Sequence, residues 1–360
     1  METVNIYGAG MSGLIAAINL ARDGYEVVVH DREKGYGGDP QYNPSTHTTP
    51  MDVKKCSEYI GIDISPAFHE QIRCPFYFHD TKFNVPQSVF KDSMYTVERG
   101  NRPTSLDTLL YKECNELGVQ FSWEDPLKKE DIGKLPKNTI IACGLTPSVY
   151  EMLDIPYLRW YGWINRGEIG FSGQSCIWLD ESITEYGYLS SVNNYYFDLL
   201  FSIRHVSKES LEKYKSFMVR NEGVEHKAEW IYSGGAVPIA RPDNPRLFQG
   251  DLILAGTLSG AMDPMMWFGI LGATVSGKVA ALAITDREQA IRDFHRFTRL
   301  FKPAFFMKNM FYYRMRPYVG LQEKMVNLAG TKRLEKMVRL TNNMRIPGSV
   351  PGFARVMGCF

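Results

Sequence analysis

Gly8-Ala9-Gly10-Met11-Ser12-Gly13 constrains this chain more than any other feature, because of what stands on either side of it. Before it, Val4-Asn5-Ile6-Tyr7 is a β-type run. After it, Leu14 to Arg22 has a helix-forming composition that is broken at Asp23-Gly24. A second β-type run, Val27-Val28-Val29-His30, ends at Asp31. Strand, glycine turn, helix, strand and acid in register predict a βαβ unit built to hold a dinucleotide. Gly8 permits the tight turn, Gly10 lets the backbone approach a pyrophosphate, and Gly13 lets helix and strand pack closely. Met11 and Ser12 open the helix, whose free N–H groups face the phosphates. Asp31 stands where an acid accepts the hydroxyls of an adenosine ribose.

Two further segments narrow the cofactor. Asp31-Arg32-Glu33-Lys34-Gly35-Tyr36-Gly37-Gly38 runs from the acid into a glycine pair. Far downstream, Leu252-Ile253-Leu254-Ala255 leads into Gly256-Thr257-Leu258-Ser259-Gly260, then Asp263-Pro264, then Trp267-Phe268-Gly269-Ile270 and a helix rich in small residues. Physically this is a β-run, a glycine turn, a second turn and a helix start. Together the segments resemble those of FAD-dependent oxidoreductases of the geranylgeranyl reductase and aromatic-hydroxylase superfamily. The resemblance implies FAD, with Gly38 carrying the chain past the pyrophosphate and Gly256-Thr257 meeting the ribityl chain. It also implies that Asp263, Pro264, Gly269 and Ile270 lie beside the pyrimidine end of the flavin. Arg99 and Gly144 fall in two weaker segments, Glu98 to Leu110 and Thr139 to Ser148, which come in the order the family places them. The chain departs from the family at three points. Asp31 replaces its Glu, Thr257 its ribityl Asp, and Cys143 the Asp that helps tie FAD and, in hydroxylases, the reduced nicotinamide. The Phe-Pro of geranylgeranyl reductases is missing near Tyr186 and Tyr188, so isoprenoid specificity does not carry over.

The fold expected is α/β: a Rossmann-type FAD-binding domain, an antiparallel-sheet substrate domain and a helical C-terminal cap. The FAD-binding domain is read as discontinuous, from 1–38, 95–155 and 245–290. Residues 39–94 connect the lobes, and 156–244, with alternating aromatic strands, form the substrate domain. The cap, 291–360, is basic, with thirteen Lys or Arg from Arg296 onward against Glu323 and Glu335. Leu321, Met325, Leu328, Leu334, Met337, Val338 and Met344 recur there at helical spacing, with Lys and Arg interleaved. Three readings stand: a cap with a solvated basic face, a membrane surface contact, or an anionic carrier partner.

A net charge of +1 offers no field for nucleic acid. Six scattered cysteines lack metal-ligand spacing, which predicts no metal site and fits a reducing cytosol. The chain enters its first strand at once, so a cytoplasmic or membrane-peripheral protein is expected. In this superfamily the flavin carries the electron chemistry while the protein binds and orients. The reaction expected is hydride transfer on a carbon–carbon bond of a hydrophobic substrate, as a reductase or dehydrogenase. The alternatives are a flavin monooxygenase and a non-redox flavin-dependent cyclase or isomerase. The electron partner is a donor protein, a quinone or NAD(P)H. His47 is the candidate proton donor, with a loop hydrogen-bonding role as its alternative. Trp267, Phe268, Tyr186 and Tyr188 are the candidate walls of the substrate pocket.

Overall fold

The computed structural model describes residues 2–78, 80–84, 94–241 and 243–314, together with Lys324 and Leu328. Its first elements are β1 (Thr3–Tyr7), α1 (Met11–Arg22) and β2 (Glu26–His30), with β1 and β2 parallel. The turn between β1 and α1 needs glycine twice. Gly8 has φ +112°, and a Cβ on Gly13 would stand 1.9 Å from the Gly8 carbonyl oxygen. α1 can therefore lie directly on the sheet, and its residues from Met11 to Leu20 are all buried.

Three stretches of chain build this first sheet. In spatial order its strands are Phe248–Gln249, Leu252–Leu254, Ile140–Ile141, β1, β2 and Gln120–Ser122. All pairings are parallel except that of Phe248–Gln249. α1 is covered in turn by the helix Ile270–Thr285, whose Ala, Val and Leu residues join the same core. The helix Leu106–Glu116, N-capped by Ser105, packs on α1 before the last parallel strand.

The second sheet has seven strands, in the order Ile231–Pro238, Tyr157–Glu168, Tyr195–Ser202, Gly187–Val192, Gln174–Leu179, Pro75–Phe78 and Thr81–Asn84. Only the pair Gln174–Leu179 with Pro75–Phe78 is parallel. Successive side chains on a strand point to opposite faces. One face, with Trp178 and Leu200, is covered by Leu211, Tyr214 and Phe217 of the helix Lys208–Glu222. The other face presents Trp160, Ile164, Phe197, Phe201 and Val237 in a separate cluster with Met262 and Trp267. The α/β expectation holds, with a parallel Rossmann-like sheet and a separate antiparallel one.

The segment 39–94 does more than connect. It supplies Ser45–Pro50 and Phe68–Glu70, which flank Met94–Arg99 in a three-stranded antiparallel sheet, and two strands of the second sheet. His47 therefore sits on a strand, opposite Val97. After the helices Arg287–Thr298 and Phe301–Met307 comes a π-helical turn, Lys308–Tyr313. The interleaved apolar and basic pattern of the tail lies outside the described residues apart from Lys324 and Leu328, both exposed. Among the described residues no helix is long and apolar enough to cross a membrane.

Candidate functional site

A cleft of about 390 Å³ runs along the C-terminal ends of the parallel strands, between the two larger sheets. In an open α/β sheet this is where ligands bind. The first glycine turn contributes Gly8, Gly10, Met11 and Ser12 to its lining, and the end of β2 contributes Asp31, Arg32 and Gly38. Arg99 and Gly144 line its middle. Gly256, Thr257, Gly269 and Ile270 come from the late segment, with His47 and Trp267 nearby. Gly13, Asp263 and Pro264 are not among the lining residues. Gly13 lies beneath the turn, and Asp263 holds the loop ahead of the helix Ile270–Thr285.

Two helices begin on this cleft. Neither α1 nor the helix Ile270–Thr285 has a side-chain cap or an acidic residue in its first turn. Their leading N–H groups have no acceptor within the helix, and the helix dipole adds partial positive charge. Gly10 has nothing within 4 Å of where a Cβ would stand, so the backbone there faces open space. The Thr257 hydroxyl is buried and has no hydrogen-bond partner among the described residues. A buried hydroxyl without a partner is rare and invites a ligand oxygen.

Acid and base groups are fixed locally. Asp31 accepts the Ala9 N–H at 2.6 Å and the Glu33 N–H at 2.9 Å, which ties the glycine turn to the end of β2. Arg32 pairs with Glu33 and Asp39. Arg99 donates twice to Asp107, at 2.6 and 2.8 Å. His47 has its Nε2 2.9 Å from the Ser45 hydroxyl. Burial, reinforced by the Arg99 cation, pushes the His47 pKa down to about 3. It is a neutral imidazole at neutral pH. Burial pushes the Cys143 thiol up to about 12, and its S–H points to the Tyr7 carbonyl.

An apolar pocket of about 140 Å³ adjoins the cleft. Tyr186, Tyr188 and Phe268 line it, and Trp160, Phe197 and Trp267 are shared between pocket and cleft. Tyr186 donates to the Met266 carbonyl, while the Tyr188 oxygen accepts the Thr48 N–H. The two phenols thus brace the walls. Sequence reading missed Trp160, Phe197, Leu199 and Phe201. Their signal was present: Phe197, Leu199 and Phe201 alternate along one strand and so share a face.

The NAD(P)-binding Rossmann-like domain profile matches residues 6–54. The chain is 34% identical over 139 residues to the flavin-containing monooxygenase FMO GS-OX4 of Arabidopsis thaliana, and 44% identical over 130 residues to FMO GS-OX2 of the same plant. Each match covers 36% of this chain, and the chain spans only 27% of the length of these relatives. Among solved structures, a geranylgeranyl bacteriochlorophyll reductase-like protein from Thermoplasma acidophilum superposes with a TM-score of 0.60 at 14% identity, covering 99% of this chain and 96% of that one. The p-nitrophenol 4-monooxygenase PnpA of Pseudomonas putida gives 0.63 at 12% identity, covering 99% and 100%. The flavin-dependent halogenase CmlS gives 0.56 at 13%, covering 84% and 62%. The chain thus shares its fold with this geranylgeranyl bacteriochlorophyll reductase-like protein, with the p-nitrophenol 4-monooxygenase and with the flavin-dependent halogenase.

Proposed function

We propose that this chain binds FAD along the cleft and acts as an oxidoreductase on a carbon–carbon bond of a compact hydrophobic substrate held in the aromatic pocket. The observation that carries the reading is a pair of adjoining cavities with shared walls. The cleft runs from the first glycine turn, past two uncapped helix ends and a Thr257 hydroxyl without a partner among the described residues, and the apolar pocket shares Trp160, Phe197 and Trp267 with it. The residues present fit the cofactor. Gly10, Met11 and Ser12 would hold the pyrophosphate, Asp31 and Arg32 its adenosine side, and Thr257 its ribityl chain. Gly269 and Ile270, at a helix N-terminus, favour negative charge on a reduced ring system. Bound FAD supplies the electron chemistry, hydride transfer in this reading.

The chain's own residues do the rest. Trp160, Phe197 and Trp267 exclude water and select an apolar group. Neutral His47 offers a hydrogen bond, to substrate or cofactor, rather than an imidazolium proton. A second reading, oxygenation of the same substrate class, is supported by the monooxygenase names among the relatives and the structural neighbours. Turnover without net electron transfer, as in a cyclase or isomerase, is the third. The electron partner and any lipid or carrier contact of the basic tail stay with these proposals.

The test is an absorbance spectrum of the purified protein, then anaerobic photoreduction and readmission of air. Flavin bands with slow reoxidation support the reductase or dehydrogenase. Rapid reoxidation with oxygen appearing in the product supports the monooxygenase. Absence of flavin after reconstitution with FAD, or retention of flavin by Gly10→Glu protein, overturns the cofactor reading.

A further inference from the structure

A lysine is buried behind the pocket wall. Lys308, in the π-helical turn after the helix Phe301–Met307, is 1% exposed, as is Glu185, whose carboxylate accepts from its ammonium at 2.7 Å. Tyr313 donates to the other oxygen of Glu185. The same ammonium lies 4.2 Å from the centroid of the Trp267 ring. A cation this close to an indole face is attracted by the ring's quadrupole, and more strongly where water is absent.

Trp267 is an unusual residue to find there. Its φ is +58°, a left-handed conformation that bulky side chains avoid unless their surroundings impose it. The surroundings do so in two parts. The backbone is set by a small loop: the Trp267 N–H donates to the Asp263 carbonyl at 2.9 Å, and the Asp263 N–H donates to the Phe268 carbonyl at 3.1 Å. The Asp263 carboxylate accepts the Met265 and Met266 N–H groups as well. The ring, by contrast, meets Phe201, 5.5 Å away between centroids, and the Lys308 ammonium. A buried ion pair is a poor stabiliser compared with apolar packing of the same volume. Fixing the geometry of Trp267 gives this one a use.

We propose that Lys308 is a positioning residue: its ammonium, held by the Glu185 carboxylate that Tyr313 braces, fixes the Trp267 indole as the wall between the dinucleotide cleft and the aromatic pocket. Docking of the C-terminal helical segment then sets the shape of the substrate pocket from outside the nucleotide and substrate domains. The proposal rests on reading the two cavities as a cofactor cleft opening onto a substrate pocket.

The test uses the full chain and benzene as probe, because an apolar cavity of about 150 Å³ is known to hold benzene. The Trp267 contribution to near-ultraviolet circular dichroism is defined by the difference between wild type and Trp267→Phe. Lys308→Met combined with Glu185→Gln removes both members of the ion pair together. This double variant should lose at least half of the Trp267 signal and weaken benzene binding, measured by calorimetry, at least fivefold. Lys308→Arg should keep both within twofold of wild type, a rescue that a space-filling role would not give. Should the double variant not fold, Trp267→Leu, which leaves the ion pair intact, must weaken benzene binding to the same extent. A folded double variant with unchanged signal and benzene affinity would overturn the proposal, as would a wild-type chain that takes up no benzene. FAD content is read in the same samples. A chain without FAD sinks the cofactor reading but leaves the Trp267 comparison standing.

Discussion

His47 offers the sharpest quantitative check on the site. Its imidazole is half-buried on the strand Ser45–Pro50, close to the ion pair of Arg99 with Asp107. Because Asp107 answers much of the Arg99 charge, burial is the leading cause of a pKa pushed down from 6.5 to about 3. The sign follows directly. Below pH 6.5 the unfolded chain takes up a proton that the folded chain refuses until about pH 3, so stability is full at neutral pH and is lost as pH falls. At pH 5 the unfolded state has gained roughly 1.5 pH units at 1.36 kcal/mol each, or about 2 kcal/mol. His47→Gln removes that contribution. The direct assay is NMR of protein labelled at histidine Cε1, with the His47 signal assigned among the 7 histidines by its loss in His47→Gln. The signal should stay at its neutral position from pH 8 to pH 5. Urea unfolding of wild type should lose about 2 kcal/mol more between pH 7 and pH 5 than that of His47→Gln. A His47 signal titrating near 6.5, with equal pH slopes in the two proteins, would refute the reasoning. It would also restore an imidazolium proton donor to the site.

Three other perturbations follow from the geometry. Thr257→Val removes a buried hydroxyl that has no partner among the described residues, so the flavin-free protein should gain up to about 1 kcal/mol while FAD binding weakens about fivefold. Thermal melts of stripped protein and a fluorescence titration with FAD read the two signs, and unchanged FAD affinity sinks the ribityl assignment. Gly13→Ala puts a Cβ 1.9 Å from the Gly8 carbonyl, which should cost about 2 kcal/mol or more and lower FAD uptake; an undisturbed Tm would contradict the close helix–strand contact. Burial pushes the Asp263 carboxyl up to about 6, so folding is penalised as pH rises from about 4 through 6. Relative to wild type, Asp263→Asn should therefore gain about 3 kcal/mol between pH 3.5 and pH 7.5 in paired urea titrations. A stability difference that does not change with pH would show that Asp263 is not a buried carboxylate.

The parts of this protein legible in its sequence are those whose causes are local. A glycine turn between β1 and α1 states its own requirement, since Gly8 takes a positive φ of +112° and a side chain at Gly13 meets the Gly8 carbonyl only a few residues away. The strand Tyr195–Ser202 likewise shows its two faces by alternation alone. What alternation cannot say is which face lines the cleft. That choice depends on the order of seven strands, which sets Trp160 and Phe197 beside Tyr186 and Tyr188 in the wall of one pocket. The protonation state of His47 was hidden for a related reason. Burial and the Arg99 cation set it, and Arg99 reaches it only because Ser45–Pro50 pairs with Met94–Arg99. The tail makes the point most clearly. Thirteen basic residues read together from Arg296 onward suggest a solvated or lipid-facing surface, yet Lys308 is buried against a glutamate 123 positions earlier in the chain. Charge composition averages over residues, whereas burial is decided one side chain at a time by what the fold brings to meet it. A lysine that leaves the surface for an ion pair under Trp267 is therefore the kind of feature that only the folded chain can reveal.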